Sequence, residues 1–154
     1  MLTEMIENGA SVADIGTDHG FIPVFLAQTG TAENIIASDI SAASLESARK
    51  SAAGYNVEGL IKFHTAPGLD GISPDEVDTV VIAGMGGETI KNIIRDAPWT
   101  KSRNVKLILQ PQSKINILCR FLYDNGYEIN EIKYVRDRVK SYTVIKAAGQ
   151  DCPL

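Results

Sequence analysis

The sequence has no apolar run near the roughly 20 residues that a membrane-spanning helix needs, so we expect no membrane-spanning segment. It has only two cysteines, Cys119 and Cys152, and neither belongs to a Cys-x-x-Cys pair or a Cys/His cluster. This argues against a disulfide framework and against a bound metal ion. The first residues carry acids rather than the basic region of a signal peptide. Together these absences favour a cytoplasmic protein.

Basic residues are scarce in the first part of the chain. Up to Ile90 there are three basic residues against thirteen acidic ones, and from Lys91 onward there are twelve against six. The formal net charge is −4 for the whole chain. Such a division predicts one electropositive side. That side is either an ordinary solvated surface or the docking face for a phosphate-bearing partner.

Short apolar runs alternate with helix-like segments along the 154 residues, a length that fits one domain. We predict strands at 12–15, 34–38, 60–64, 79–83 and 105–109, and helices at 20–29, 42–53, 88–96 and 114–125. In the last helix the spacing predicts one buried face, formed by Ile115, Leu118, Cys119 and Leu122. Ser41 and Ser113 are expected N-caps, and Gly126 is expected to close the last helix.

The end of the chain breaks the alternation. The segments EINEIKYVRD and KSYTVIKAA are two β-rich runs joined by a short charged turn, which predicts a hairpin. Five parallel strands followed by an antiparallel pair are typical of the class I methyltransferase sheet. We therefore predict a single α/β domain over 1–154, Rossmann-like, with helices on both faces of the sheet.

The stretch from Asp14 to Gly20 follows the first predicted strand, where open parallel sheets bind their ligands. It has the form D-x-G-x-x-x-G rather than the GxGxxG of nicotinamide enzymes. This is the spacing of the S-adenosylmethionine loop, with Asp18 in place of the middle glycine. Carboxylates here would repel a dinucleotide but attract an ammonium and a sulfonium. Asp39, about twenty residues on, is either a ribose-binding acid or an acid that stabilises a helix N-terminus.

A second glycine-rich stretch, VVIAGMGGETI, ends the fourth predicted strand. Gly84, Gly86 and Gly87 contribute no packing of their own, so we interpret them as leaving room for a planar group. On the next strand, LILQP presents Gln110, which is either a polar loop residue or an amide that pairs with a base edge.

With ADIGTDHGFIP, VVIAGMGG and KLILQPQ in place, the chain resembles the bacterial tRNA adenine-22 N1-methyltransferase family from about 12 to 146. The resemblance implies S-adenosylmethionine as cofactor and N1 of a tRNA adenine as acceptor. It implies that Asp14, Gly16, Thr17 and Gly20 line the methionine part of the cofactor, that Asp39 takes its ribose, and that Ile40, Gly68, Ala83 and Gly84 complete the cofactor site. It also implies that Asp18 and His19 face the methyl and the base. From the residues themselves we expect two groups to bind the tRNA: Met85, Gly86, Gly87, Gln110 and Pro111 at the base, and Lys114, Arg136 and Arg138 at the phosphates.

The chain departs from that family twice. Relatives carry an acid or Asn in a G-[DN]-G-L stretch to hold the cofactor's adenine, whereas Ala66-Pro67-Gly68-Leu69 stands here. We therefore expect weaker cofactor binding, made through the backbone. The family's C-terminal helical extension is also absent from this chain.

Two alternatives on the same fold stay open. One is a small-molecule methyltransferase, which would need an enclosed acceptor pocket and no basic face. The other is a module that binds S-adenosylmethionine without activity. A nicotinamide enzyme is disfavoured by the loop spacing and by Asp18.

Overall fold

A computed structural model describes residues 2–136 and 138–150, so Cys152 lies outside the described residues. The described strands are β1 Ala10–Ile15, β2 Ala32–Asp39, β3 Lys62–Thr65, β4 Thr79–Met85, β5 Lys106–Pro111, β6 Tyr127–Arg136 and β7 Ser141–Gly149. The described α-helices are α1 Phe21–Thr29, α2 Ala42–Gly54, α3 Gly87–Arg95 and α4 Ile115–Asp124. Short 3-10 helices lie at Leu2–Met5, Glu58–Leu60 and Pro98–Lys101. Within this part of the chain, no helix is long and apolar enough to cross a membrane.

The strands form one seven-stranded sheet in the order β3-β2-β1-β4-β5-β7-β6. β1 pairs with β2, and β2 with β3, in parallel. β7 is antiparallel to both β5 and β6. The predicted α/β fold with a terminal hairpin is therefore confirmed. The third strand starts later than predicted, because residues 58–60 form a 3-10 turn instead of extended chain.

The chain divides into two compact units. The first unit, Ile6–Val81, contains β1, β2, β3, α1 and α2. In β1 the residues Val12 and Ala13 are adjacent and both fully buried. Continuous burial without alternation is what a parallel strand covered on both faces requires. Leu26 of α1 and Ala48 of α2 are also buried in this unit.

The second unit, Met1–Met5 with Ile82–Leu154, contains β5, the terminal hairpin, α3 and α4. Leu118 and Leu122 of α4 are fully buried, as predicted. Ile115 is partly exposed and Cys119 is only half-buried, so the predicted four-residue buried face is wrong at these two positions. α4 packs through a narrower stripe, whose two buried residues lie one helical turn apart. Partial burial still raises the pKa of the Cys119 thiol.

The predicted helix ends differ in outcome. Ser41 caps α2 by accepting a hydrogen bond from Ser44 N at 3.2 Å, as predicted. Gly126 follows the C-cap of α4 with a φ of 82°, also as predicted. The N-cap of α4 is Lys114 rather than Ser113, so that prediction is wrong. The carbonyl of Ser113 accepts a hydrogen bond from Gly87 N instead.

Candidate functional site

The loop between β1 and α1, residues 16–20, is fixed to the end of β2 in the first unit. Gly16 N and Thr17 N both donate to the carbonyl of Ser38, at 2.8 and 3.0 Å. The backbone is left-handed at every second residue, with φ of 73° at Gly16, 52° at Asp18 and 74° at Gly20. Asp is among the few side chains that adopt this conformation with little strain. This explains how Asp18 can replace the middle glycine that the S-adenosylmethionine loop usually has at this position.

The close neighbour of Gly20 is part of the protein itself. A Cβ on Gly20 would lie 2.9 Å from Cβ of Ala48 in α2. The small residue at this position therefore lets two helices approach each other. This contact accounts for the second glycine of the motif without any ligand.

Asp39, at the end of β2, connects the loop to the next helix. Its Oδ2 accepts a hydrogen bond from Asp18 N at 3.1 Å, and its Oδ1 accepts one from Ser41 N at 2.9 Å. Both interpretations of this acid thus have a basis, since it orders the start of α2 and also stands beside the loop. Each carboxylate oxygen keeps a second lone pair that can accept a hydroxyl proton. Ile40, the next residue, is 73% exposed.

Asp14 is a buried carboxyl at the end of β1. Desolvation raises its pKa to about 7, a hydrogen bond from the Thr17 side chain opposes this, and the nearby charge of Asp39 adds to it. Thr17 Oγ1 lies near this carboxyl but makes no hydrogen bond of good geometry, and Ser38 Oγ is likewise buried without a partner among the described residues. The contact from Thr17 is therefore weak, because a strong hydrogen bond needs direction as well as distance. Unsatisfied buried polar groups beside a perturbed acid are typical of ligand sites.

Asp18 and His19 both reach solvent, with side chains 69% and 55% exposed. His19 Nδ1 lies 2.9 Å from Ser47 Oγ on α2, and His19 Nε2 lies 3.7 Å from Asp18 Oδ2. The His19 ring is tilted against Phe21 at 5.6 Å between centroids. Sequence reasoning missed Ser47, since nothing in its spacing marks a residue that only the packing of α2 brings to the loop.

The segment after β3 lies beside the same acid. Ala66 N donates to the carbonyl of Asp39 at 3.1 Å, and Gly68 has a φ of 54°. The first unit therefore contains nine of the predicted site residues, all at or just beyond the ends of β1, β2 and β3. They are Asp14, Gly16, Thr17, Asp18, His19, Gly20, Asp39, Ile40 and Gly68.

In the second unit, the two specific motifs of the sequence are bonded to each other. β4 is buried up to Ile82, and from Ala83 onward it reaches the surface. Beyond that point its end is joined to the segment after β5. The joining bonds are Gly84 N to Gln110 Oε1, Gln112 N to Met85 O, and Gly87 N to Ser113 O, each 2.8 Å long.

The glycines of this stretch have different causes. A Cβ on Gly87 would clash with the carbonyl oxygen of Lys114, and one on Gly86 would lie 3.1 Å from Ser113 Oγ. The interpretation that all three glycines leave room for a planar group is therefore wrong for these two, which make way for the neighbouring loop. A Cβ on Gly84 would lie 3.8 Å from Gln112 Nε2, which is an ordinary van der Waals contact, so the reason for this glycine is its left-handed backbone, with a φ of 77°.

The polar residues predicted to bind tRNA also have partners. Gln110 Oε1 accepts a hydrogen bond from Gly84 N, which leaves Gln110 Nε2 without a partner among the described residues. The Lys114 ammonium lies 2.9 Å from Glu88 and lowers the pKa of that carboxyl through a hydrogen bond. Pro111 is buried, whereas Arg136 and Arg138 are exposed near the end of β6. No three His, Cys, Asp or Glu side chains cluster to hold a metal ion in the described part of the chain.

A family model described as a methyltransferase domain matches residues 1–145. The chain belongs to this methyltransferase domain family. The match covers both units of the domain, including the loop after β1 and the motifs that end β4 and β5.

Named relatives agree with the resemblance. The tRNA (adenine(22)-N(1))-methyltransferase of Bacillus subtilis is 30% identical over 97% of this chain. The crystal structure of the B. subtilis m1A22 tRNA methyltransferase matches with a TM-score of 0.89 and 31% identity, over 97% of this chain and 64% of that one. A Streptococcus pneumoniae protein solved with S-adenosyl-L-methionine matches with a TM-score of 0.89 and 28% identity, over 99% and 72% of the two chains. The predicted family resemblance is confirmed.

The methyltransferase domain is shorter than these relatives. The chain spans 63% of the length of the B. subtilis enzyme and 60 to 62% of two Mycoplasma tRNA methyltransferase relatives.

We predict that Gly20→Ala destabilises the domain more than Gly30→Ala. Both glycines are left-handed, with φ of 74° and 67°, but only Gly20 has an atom within 4 Å of the added methyl group. The strain of a left-handed alanine costs about 1–2 kcal/mol in both variants. Overpacking against Ala48 adds about 1–3 kcal/mol for Gly20 alone. Urea unfolding measures the difference, and equal losses would show that Ala48 does not set this position.

We predict that Asp14→Asn removes a pH dependence of stability. The folded-state pKa is raised, so this carboxyl contributes stability that is fully present below its unfolded pKa of 3.8 and is lost as the pH rises through about 7. As the pH rises from 5 to 8, the free energy of unfolding of the Asn variant should therefore increase relative to that of the wild type. The expected increase is about 2–3 kcal/mol, at 1.36 kcal/mol per pKa unit. Thermal or urea unfolding at both pH values measures this. Asp75→Asn, at an exposed position, is the control, and a gain unchanged by pH would contradict the prediction.

Proposed function

We propose that this domain binds S-adenosylmethionine through the first unit and transfers its methyl group to N1 of an adenine in tRNA, at position 22. The observation that carries the proposal is the acidic, partly unsatisfied surroundings of the loop after β1. A buried carboxyl, two hydroxyls without partners and Asp39 fit a cationic ligand rich in hydroxyls. The same carboxylates would oppose a pyrophosphate. This function would place the protein in the cytoplasm.

The first unit supplies most of the cofactor contacts in this proposal. Asp39 accepts the ribose hydroxyls through its remaining lone pairs, and Ile40 offers an exposed apolar surface to the adenine ring. Asp14 and the backbone of the loop hold the methionine part. Gly68 contributes through its backbone, because Pro67 replaces the acid of the related proteins.

S-adenosylmethionine, when bound, supplies an electrophilic methyl carbon on its sulfonium. The N1 lone pair of neutral adenine would form the new N–C bond as the bond from sulfur to this methyl carbon breaks, and the electron pair of the broken bond would stay on the sulfur of the departing S-adenosylhomocysteine. The attacking nitrogen carries no proton, so the protein needs no strong general base. Its residues act chiefly by orienting the base, and proximity with orientation can contribute roughly 7–11 kcal/mol. N1 lies on the Watson–Crick edge, so the adenine must leave its stack, at a cost of a few kcal/mol.

Asp18 and His19 are the candidate catalytic residues. The methylated base carries a positive charge, and the exposed Asp18 carboxylate would stabilise this charge as it develops. His19 is held by Ser47 and would position the base or move a proton from its exocyclic amine. Two features fix the backbone position from which the Asp18 side chain extends. They are its left-handed conformation and the hydrogen bond from Asp18 N to the Asp39 carboxylate.

Gln110 is the candidate for recognising the base. Because its Oε1 accepts the hydrogen bond from Gly84 N, its Nε2 is the group that remains available. This amide N–H would donate to N3 or N7 of adenine, which leaves the lone pair of N1 free to attack. In this proposal the backbone of Gly84 and the side chain of Met85 would face the base plane. Gly86, Gly87 and Pro111 hold this arrangement by packing.

The basic residues of the second unit would contact tRNA phosphates. Arg136, Arg138 and Lys140 lie exposed around the hairpin turn, and Tyr134 on the same strand is 82% exposed. Lys114 would have to exchange Glu88 for a phosphate. A small-molecule methyltransferase would have no use for such a surface.

We expect label to pass from radioactive S-adenosylmethionine into unmodified bacterial tRNA, and nucleoside mass spectrometry to identify the product as 1-methyladenosine. Mutation of adenine 22 in the transcript should abolish the label. Cofactor binding without transfer would favour a binding module. Transfer to a small molecule but not to tRNA would favour the other alternative on this fold.

We predict that Arg136→Gln weakens tRNA binding and lowers its salt dependence. Loss of one phosphate contact should reduce the slope of log K against log salt by about one. Arg95→Gln removes the same charge from an arginine that is paired with Asp96 and Asn92, and serves as the control. Fluorescence anisotropy at several KCl concentrations measures both variants. An equal change of slope in the Arg136→Gln and Arg95→Gln variants would contradict the prediction. It would mean that the total charge of the protein, rather than a contact at the β6–β7 hairpin, determines tRNA binding.

A further inference from the structure

The segment 66–72, here called the β3 loop, is held at several points within the first unit. Its first N–H, from Ala66, donates to the carbonyl of Asp39. Leu69 and Ile72 are buried and fix its second half. Two of its residues, Gly68 and Gly71, have left-handed backbones, with φ of 54° and 76°. Glycines in this conformation leave an unanchored loop much freedom, so its remaining contacts decide its shape.

His64, at the end of β3, supplies such a contact. Its Nε2 lies 2.8 Å from the carbonyl oxygen of Asp70. A carbonyl can only accept, so Nε2 carries the hydrogen and donates. The same ring fills the space beside Gly71, where a Cβ would lie 2.9 Å from Nε2. His64 therefore anchors the β3 loop both by a hydrogen bond and by packing on bare backbone.

The β3 loop offers a ligand only its backbone at the positions next to Asp39. Ala66, Pro67 and Gly68 carry no polar side-chain atoms. A side chain can adjust its rotamer to a ligand, whereas backbone groups bind well only if the whole segment is already in place. Binding of a ligand by the backbone of the β3 loop thus depends on the contacts that hold this loop in place.

We propose that His64 is a positioning residue, which fixes the β3 loop so that its backbone binds the adenine ring of the cofactor. This rests on the proposed function, because it takes the ligand beside Asp39 to be an adenosyl group. Ala66 is bonded directly to Asp39, so an adenine attached to a ribose at Asp39 lies within reach of the loop. Backbone groups distinguish adenine, with an amino group at C6 and an unprotonated N1, from hypoxanthine, with an oxo group and an N1–H.

The test compares binding of S-adenosylhomocysteine and S-inosylhomocysteine by isothermal titration calorimetry. We expect the wild type to prefer the adenosyl ligand. His64→Leu should weaken S-adenosylhomocysteine binding roughly tenfold or more and reduce that preference. His64→Gln retains a donor at a similar position and should recover most of both. At saturating cofactor, kcat should stay close to that of the wild type while KM for the cofactor rises.

Two controls separate this role from a general loss of structure. Lys62→Gln changes the same strand two residues earlier and breaks an exposed ion pair with Glu76, so it should leave both affinities unchanged. If the Leu variant does not fold, His64→Glu replaces it, because an ionised Glu has nearly the shape of Gln but cannot donate.

The outcomes distinguish the two proposals. A wild type that binds neither ligand would contradict the proposed function and this inference together. A wild type that binds S-adenosylhomocysteine, with His64→Leu and His64→Glu binding as well as it does, would overturn the role of His64 alone. Equal losses in the Gln and Glu variants would likewise overturn it, since they would show that the donated hydrogen bond is not what matters.

Discussion

The binding surface of the first unit depends on the hydrogen bonds that the Asp39 carboxylate accepts. One of its oxygens fixes the loop after β1 through Asp18 N, and the other orders the start of α2 through Ser41 N. The backbone carbonyl of Asp39 accepts a hydrogen bond from Ala66 N, at the start of the β3 loop. Three loops from separate strands thus take their positions from one residue at the end of β2. A substitution of Asp39 would disturb the loop after β1 and the start of α2, whereas the hydrogen bond from Ala66 N to the backbone carbonyl of residue 39 would remain.

The glycines of the chain show how one residue type serves different physical needs. Gly16 and Gly84 supply left-handed backbone, the former in the loop after β1 and the latter near the end of β4. Gly20 and Gly87 instead allow close packing, the former against Ala48 and the latter against the carbonyl of Lys114. Composition and spacing cannot separate these causes, because the neighbour that requires the missing Cβ lies far away in sequence. Motif glycines therefore predict a tight loop more securely than they predict a ligand.

The fold could be predicted from the sequence because its signals are local. Apolar runs, helical spacing and the Ser41 cap each depend on a few consecutive residues, and all of them agree with the observed elements. The errors at Ser113 and Cys119 depend on partners outside the local segment. The backbone carbonyl of Ser113 accepts a hydrogen bond from Gly87 N, and of the predicted face of α4 only Leu118 and Leu122 are fully buried. The anchoring contact of His64 was missed for the same reason, since Asp70 approaches it only after the loop has folded.

Asp14 links the stability of the first unit to its chemistry. Burial holds the Asp14 carboxyl in the folded state with its pKa raised to about 7, and the nearby Thr17 hydroxyl does not offset this cost of desolvation. A cation bound beside it would lower that pKa and offset the cost, so ligand binding and relief of the buried charge would occur together. The neighbouring Asp39 adds to the effect, because its charge opposes ionisation of Asp14 as long as no cation is present. In the proposed function, a buried acid at this position would therefore bind a cation more favourably than an exposed carboxylate would, because the cation would offset the cost of ionising the buried group.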